Sequence, residues 1–144
     1  MERTDHTLIT VETVVRKPVD LVWESWTEPV HIQNWNNASD DWHTPFAQND
    51  LRPGGRFLSR MEARDGRTGF DFSGVYDVVM LHELIEYTLD DDRKVRITFD
   101  GQGDETRVVE TFEAEHEYPS DYQRQGWQAI LDHFAKYTES IVID

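Results

Sequence analysis

The sequence contains no cysteine. This absence excludes disulfides, thiolate zinc sites, iron–sulfur clusters and cysteine nucleophiles. No apolar run approaches the length of about 18 residues that a transmembrane helix requires, and residues 1–6 lack the apolar core of a signal peptide. We therefore predict a soluble, cytoplasmic protein that does not associate with membranes.

Basic residues are also few. Lysine and arginine together number 14 against 29 aspartates and glutamates, which gives a formal net charge of −15. Such a surface is solubilising and repels phosphate backbones, so we expect no nucleic-acid partner. The acidic run Asp90–Asp92 indicates a turn between strands, because it lacks the ligand alternation and the distal glutamate of a calcium-binding loop.

Motifs for catalysis and for cofactor binding are missing as well. The six histidines show no HExxH pair or other metal-ligand spacing. No serine lies in a G-x-S-x-G turn, and Gly101-x-Gly103 lacks the third glycine and the strand-to-helix setting of a dinucleotide site. The sequence thus predicts no catalytic residue, no metal and no cofactor, and it favours a binding protein over an enzyme.

What the chain does have is an amphipathic helix near its end. Between residues 122 and 141, apolar positions recur every three or four residues, at Trp127, Ile130, Leu131, Phe134 and Thr138. A helix of about 20 residues is roughly 30 Å long and crosses a whole small domain. It needs a sheet to pack against, and a strongly curved sheet would leave a cavity beneath it.

The residues before this helix alternate as strands separated by turns, and 144 residues fit one domain, 1–144. We predict a strand over 7–16, short helices starting near Pro18 and Pro29, a long loop over 36–53, and strands over 56–63, 69–80, 84–89, 94–100 and 106–115. Short connections between consecutive strands imply an antiparallel meander of about six strands. The predicted fold class is α+β.

Short motifs occur along nearly the whole chain. They are Pro18 with Val22-Trp23, Trp26-Thr27-Glu28-Pro29, Trp35, Asp50-Leu51-Arg52-Pro53-Gly54-Gly55-Arg56-Phe57, Gly74-Val75-Tyr76, Glu86-Tyr87-Thr88 and Gly126-Trp127-Gln128. With the element order, they resemble the START-like helix-grip (SRPBCC) superfamily and, within it, the family related to activators of the heat-shock-protein-90 ATPase. The resemblance implies a curved antiparallel sheet that grips the terminal helix around an often apolar cavity. Some relatives bind lipids, polyketides or other small hydrophobic molecules, and the eukaryotic namesakes bind a chaperone.

We therefore predict a binding site for a small hydrophobic or aromatic molecule between the sheet and the terminal helix, entered near the long loop. The candidate ligand-binding residues are Trp26, Trp35, Trp42, His43, Phe46, Met61, Phe72, Tyr76, Glu86, Trp127 and Phe134. Core packing is the alternative role for the tryptophans. An outward salt bridge is the alternative for Glu86, since the strand register decides which face it occupies. His43 offers a pH-sensitive contact in the loop.

Two other functions stay open. The first is a protein-interaction module that forms a homodimer or binds a chaperone through an exposed apolar patch. The second is a cyclase-like or hydrolase-like enzyme in the same cavity, which would need a buried carboxylate or histidine within reach of the ligand.

Overall fold

The computed structural model describes residues 7–141. In this part of the chain, seven strands and three helices follow one another as β1 (Leu8–Val15), α1 (Val19–Thr27), α2 (Pro29–Trp35), β2 (Trp42–Asn49), β3 (Arg56–Ala63), β4 (Gly69–Met80), β5 (Leu84–Leu89), β6 (Lys94–Gln102), β7 (Glu105–Glu113) and α3 (Ser120–Glu139). The strands form one antiparallel sheet in the order β1-β7-β6-β5-β4-β3-β2. The predicted α+β fold, with two short helices after strand one and a long terminal helix, is confirmed.

The segment predicted as a long loop contains an additional strand. Residues 42–49 form β2 at one edge of the sheet, so the prediction of an irregular loop over 36–53 is wrong for this part. The pairing of β2 with β3 shifts register between His43 and Phe46, and Pro45 lies within the shift. A bulge of this kind interrupts the period-two alternation by which a strand is recognised. The sheet therefore has seven strands where about six were predicted.

The apolar stripe of α3 divides into two parts. Leu131, Phe134 and Thr138 are fully buried in the core. Trp127 and Ile130 are only partly buried and pack against the same core from its side. The C-terminal half of the stripe therefore fills the core, whereas its N-terminal half is only partly covered by other core residues.

Helix α3 also covers the free edge of β1. Arg124 Nη1 donates to the carbonyl oxygen of Thr10 at 3.3 Å, and Gln128 Nε2 donates to that of Glu12 at 3.0 Å. Unpaired edge groups are a template for pairing with other chains. Side chains from the polar face of α3 occupy these groups on β1, and they fix the helix across the sheet.

A second irregularity decides which side chains of β4 face the concave side of the sheet. The pairing of β4 with β5 shifts register between Tyr76 and Val78. Tyr76 pairs with buried Tyr87, whereas Val78 pairs with Glu86. An uninterrupted period-two alternation would put Val78 on the same face as Tyr76, and the bulge turns it to the outer face.

Gly126 lies inside α3 without a steric need for glycine. Outside its own helix, no heavy atom lies within 4 Å of the position that a Cβ would occupy. Glycine in a helix interior is less stable than alanine by about 0.5–1 kcal/mol, so Gly126→Ala should raise the free energy of unfolding by that amount in urea denaturation. Gly101→Ala is the contrasting variant and should destabilise, because its Cβ would lie 2.9 Å from Val19 Cβ. A destabilised Gly126→Ala would contradict this account of the helix.

Candidate functional site

A cavity of about 280 Å³ lies between the concave face of the sheet, the α1–α2 pair and α3. Its volume is close to the lower end of the range for small-molecule pockets, about 300 Å³. Most of its wall is apolar and aromatic, and polar groups from β5, β7 and the segments that follow them also line it. The sheet curvature and the partial burial of α3 together create this space.

Trp127 forms the part of the wall that α3 contributes. Its ring stacks on Phe112 of β7 with the centroids 3.8 Å apart and the planes 10° apart. It also meets Phe72 of β4 edge-on at 6.1 Å. Since β6 and β5 lie between β7 and β4 in the sheet, Trp127 bridges the two arms of the curved sheet while it lines the cavity.

The helices α1 and α2 contribute a second aromatic wall. Trp26 stacks on Trp35 at 4.8 Å, and both rings meet Phe134 edge-on at 4.9 Å. Trp35 Nε1 donates to the carbonyl oxygen of Ser25 at 2.7 Å, which fixes the orientation of the indole. Trp26 and Trp35 line the cavity, whereas Phe134 is fully buried among the core residues.

A hydrogen-bonded chain connects β4, β2 and α1 at the cavity. Tyr76 Oη donates to Asn49 Oδ1 at 2.6 Å, and Asn49 Nδ2 donates to the carbonyl oxygen of Thr27 at 2.6 Å. Burial raises the pKa of the Tyr76 phenol well above its usual value. Tyr76 is therefore a neutral donor that is already used within the protein, and its role here is to hold the wall in place.

Glu110 is a buried carboxyl group at the cavity. It lies on the same face of β7 as Val108 and Phe112 and is only 5% exposed. Its carboxyl forms no hydrogen bond or ion pair with any of residues 7–141. Burial raises its pKa to about 8 because the charged form is poorly solvated there, so at neutral pH the group is mainly a neutral acid.

Other polar groups lie near Glu110 along the same wall. Tyr87 is 6% exposed, and its hydroxyl has no hydrogen-bond partner within the described chain. Burial raises the pKa of Tyr87 well above its usual value, the negative charge of Glu110 raises it further, and Arg93 lowers it. Arg93 Nε donates to Asp91 at 2.8 Å, and its Nη2 lies 3.9 Å from Glu115 Oε2.

Gln123 of α3 is a lining residue whose amide is fully used within the protein. Its Nε2 donates to the carbonyl oxygens of Glu115 and Tyr118, at 2.9 and 2.8 Å, and its Oε1 accepts from the Glu115 amide at 2.9 Å. Gln123 thus ties the segment after β7 to α3. At this end of the cavity, the lining side chains with neither a hydrogen bond nor an ion pair to any of residues 7–141 are Glu110 and Tyr87, whereas Arg93 and Glu115 are ion-paired.

Six of the eleven candidate residues line the cavity: Trp26, Trp35, Met61, Phe72, Tyr76 and Trp127. The structure places the other five elsewhere: Trp42, His43, Phe46, Glu86 and Phe134. Phe134 belongs to the core. Glu86 occupies the outer face, where its Oε2 lies 3.4 Å from Arg96 Nη1, as the alternation of buried Ile85 and Tyr87 on β5 requires.

The three candidates from the predicted loop lie on β2, outside the cavity. Trp42 packs beside the Phe70 ring with the centroids 6.0 Å apart, and Phe70 itself is a lining residue. His43 Nε2 lies 4.0 Å from Glu62 Oε1 on the neighbouring strand, and Phe46 is 48% exposed. The C-terminal end of β2 reaches the cavity through Gln48 and Asn49.

Sequence reasoning did not identify Glu110, Tyr87 or Arg93. For Glu110 a signal was present, since Val108, Glu110 and Phe112 alternate with Val109 and Thr111 along one strand. A carboxylate between two apolar residues of the buried face has to lie in the core or in a cavity. Arg93 carried no such signal because it lies in a turn.

Residues 7–141 contain no group of three or more histidine, aspartate or glutamate side chains arranged to hold a metal ion. None of the helices in that range combines the length and apolar character needed to cross a membrane.

A comparison with protein families shows which family the chain belongs to. Residues 16–139 match the family described as activator of Hsp90 ATPase homolog 1-like protein. The chain belongs to this family. The matched region includes all three helices. The family relationship that the sequence motifs predicted is confirmed.

Solved structures of similar chains share the fold. The AHSA1-like protein from Aeromonas hydrophila is 40% identical over 93% of both chains, with a TM-score of 0.87. A protein from Cytophaga hutchinsonii is 53% identical over 91% of both chains, with a TM-score of 0.79. A protein from Chromobacterium violaceum, 22% identical over 94% of this chain and 99% of its own, shares the fold with a TM-score of 0.83. A comparison with curated protein sequences found no match.

Proposed function

We propose that this chain binds a small, uncharged aromatic molecule in the cavity beneath α3. The observation that carries the proposal is the cavity itself: about 280 Å³ of space bounded by the rings of Trp26, Trp35, Phe72 and Trp127. Protein interiors are close-packed, and an unfilled apolar space costs stability. A flat ligand that packs between these rings would recover that stability.

The charge of the protein supports an uncharged ligand. A net charge of −15 repels anions at long range, and the aromatic walls cannot solvate an ion. The cavity volume limits the ligand to a few fused or linked rings. Family membership is compatible with this function.

The probe N-phenyl-1-naphthylamine tests the proposal, because its fluorescence rises in apolar surroundings and it accepts energy from tryptophan. We expect saturable binding with one site per chain and quenching of tryptophan emission. Ser59 lines the cavity and is 6% exposed, so the phenyl ring of Ser59→Phe should occupy the space and weaken binding at least about tenfold, the factor that corresponds to a small lost apolar contact.

Leu58→Phe provides the matched control. Leu58 is the neighbouring residue on β3 and pairs with Gln48 and Ser73, so its side chain points to the face opposite that of Ser59. This variant should bind the probe as the wild type does. Equal loss in both variants, or no saturable binding by the wild type, would contradict the proposal. In the second case the interaction-module alternative would take its place, with light scattering as its test.

A further inference from the structure

Besides the Ser59 hydroxyl on β3, two buried polar side chains face the cavity without a partner in the described chain. They are the carboxyl of Glu110, 5% exposed, and the hydroxyl of Tyr87, 6% exposed. A buried polar group without a hydrogen bond costs stability, and native proteins contain few of them. Both groups line the cavity in which the ligand is proposed to bind.

The strand register places these two side chains near each other. Glu110 of β7 pairs with Ile97 of β6, and Tyr87 of β5 pairs with Val95. Val95 and Ile97 are two residues apart and both buried, so Glu110 and Tyr87 flank the same face of β6 from its two sides. The charge of Glu110 accordingly acts on the Tyr87 phenol.

Both groups carry their proton at neutral pH. The pKa of Glu110 is raised to about 8, and that of Tyr87 lies well above its usual value, with burial as the main cause in each case. A protonated carboxyl and a phenol each offer one O–H donor. The pair therefore presents two O–H donors to the cavity.

The charged and titratable groups around this pair favour an acceptor over a cation. Besides Glu110 and Tyr87, the titratable groups that line the cavity are Tyr76 from β4, Arg93 from the β5–β6 turn and Glu115 after β7. The neighbours of Glu110 across the sheet, Val11 of β1 and Ile97 of β6, are apolar; α3 contributes uncharged Gln123, Trp127 and Ile130. A ligand cation would meet the Arg93 guanidinium.

We propose that Glu110 and Tyr87 recognise an uncharged carbonyl oxygen of the aromatic ligand, each donating one hydrogen bond to it. This inference rests on the proposed binding function and adds to it the polar group of the ligand. It makes Glu110 and Tyr87 the specificity-determining residues of the site, while the aromatic walls supply affinity without distinguishing a ketone from a hydrocarbon.

A matched pair of probes tests the inference: 2-acetylnaphthalene and 2-isopropenylnaphthalene, which share the ring and a planar trigonal substituent and differ in that a C=CH2 group replaces the carbonyl. Competition against N-phenyl-1-naphthylamine gives both affinities. We expect the ketone to bind roughly tenfold more tightly, the factor expected for about one net hydrogen bond. Equal affinities would overturn the inference and leave the proposed function intact, whereas failure of both probes to compete would reject both.

Variants at the two positions test whether Glu110 and Tyr87 cause the preference for the ketone. Glu110→Gln keeps an N–H donor and should keep the preference for the ketone, while Glu110→Leu and Tyr87→Phe should each reduce it severalfold. Glu86→Gln on the outer face of the sheet is the control for loss of a carboxyl group and should behave as the wild type. An unchanged preference in both Glu110→Leu and Tyr87→Phe would contradict the assignment.

The pH dependence provides a measurement that does not need Glu110→Leu to fold. In the wild type the preference for the ketone should be constant at acidic pH and decline as the pH rises through about 8, where Glu110 loses its proton. In Glu110→Gln it should not change over this range. The cation 1-(2-naphthyl)ethylammonium is the competing ligand class: if it binds more tightly than the ketone and loses that advantage in Glu110→Gln, the ligand group is a cation and the inference is wrong.

Discussion

Phe134→Ala is expected to lower the free energy of unfolding by about 3–5 kcal/mol, the usual cost of truncating a fully buried phenylalanine. Phe134 is 0% exposed and meets the rings of both Trp26 and Trp35 at 4.9 Å. Its removal deletes the aromatic contacts that join α3 to α1 and α2. The hydrogen bond from Trp35 Nε1 to the Ser25 carbonyl oxygen limits how far this indole can move into the vacated space.

Denaturation by guanidinium chloride, followed by tryptophan fluorescence and by circular dichroism, measures this loss. Tyr122→Ala on the same helix is the control, because Tyr122 is 64% exposed and its truncation should change stability by less than about 0.5 kcal/mol. A loss below about 1 kcal/mol for Phe134→Ala would mean that the side chain is not a core residue.

The general fold follows from sequence because its strongest signals are local and regular. The helical period at Trp127, Leu131 and Phe134 marks α3, and the strands over 56–63, 69–80 and 84–89 have the predicted bounds. These segments have uninterrupted periodicity and clear turns at their ends, such as Gly66 with φ of +76°. Where a pattern is both local and unbroken, it predicts the element.

The features that sequence did not predict are those where a bulge breaks the pattern. The shift between His43 and Phe46 conceals β2, and the shift after Tyr76 reverses the facing of Val78. A bulge depends on the pairing of two strands, which a single strand's sequence does not contain. The outer position of Glu86 follows from this register and was open until the register was known.

The candidate site was predictable to a smaller extent than the fold. Aromatic residues from separate segments were expected at one cavity, and Trp26, Trp35, Phe72 and Trp127 do line it. Which aromatic ring faces the cavity and which faces the core depends on packing: Phe134 and Trp127 lie on one stripe, two turns apart, and have different surroundings. The polar end depends on sheet curvature, which brings Glu110 and Tyr87 to the same space.

The ligand-free protein is expected to lose stability as the pH rises from about 5 to 8, and Glu110 is the cause. Its carboxyl has a pKa of 4.5 when solvated and of about 8 in the folded protein. Between these values the unfolded chain releases the proton while the folded chain keeps it, so each pH unit favours unfolding by about a factor of ten. This contribution to stability is complete below pH 4.5 and is lost as the pH rises through 8.

Glu110→Gln removes the titrating proton and keeps the shape of the side chain. From pH 5 to 8 the free energy of unfolding of the wild type should therefore fall by about 4 kcal/mol relative to that of Glu110→Gln. Urea denaturation of both proteins at pH 5, 6.5 and 8 measures the difference, with Glu86→Gln expected to run parallel to the wild type. Parallel curves for the wild type and Glu110→Gln would show that Glu110 ionises in the folded protein as it does in water, and that it cannot act as a neutral donor. A growing separation would instead establish the protonated carboxyl on which recognition of a ligand carbonyl depends.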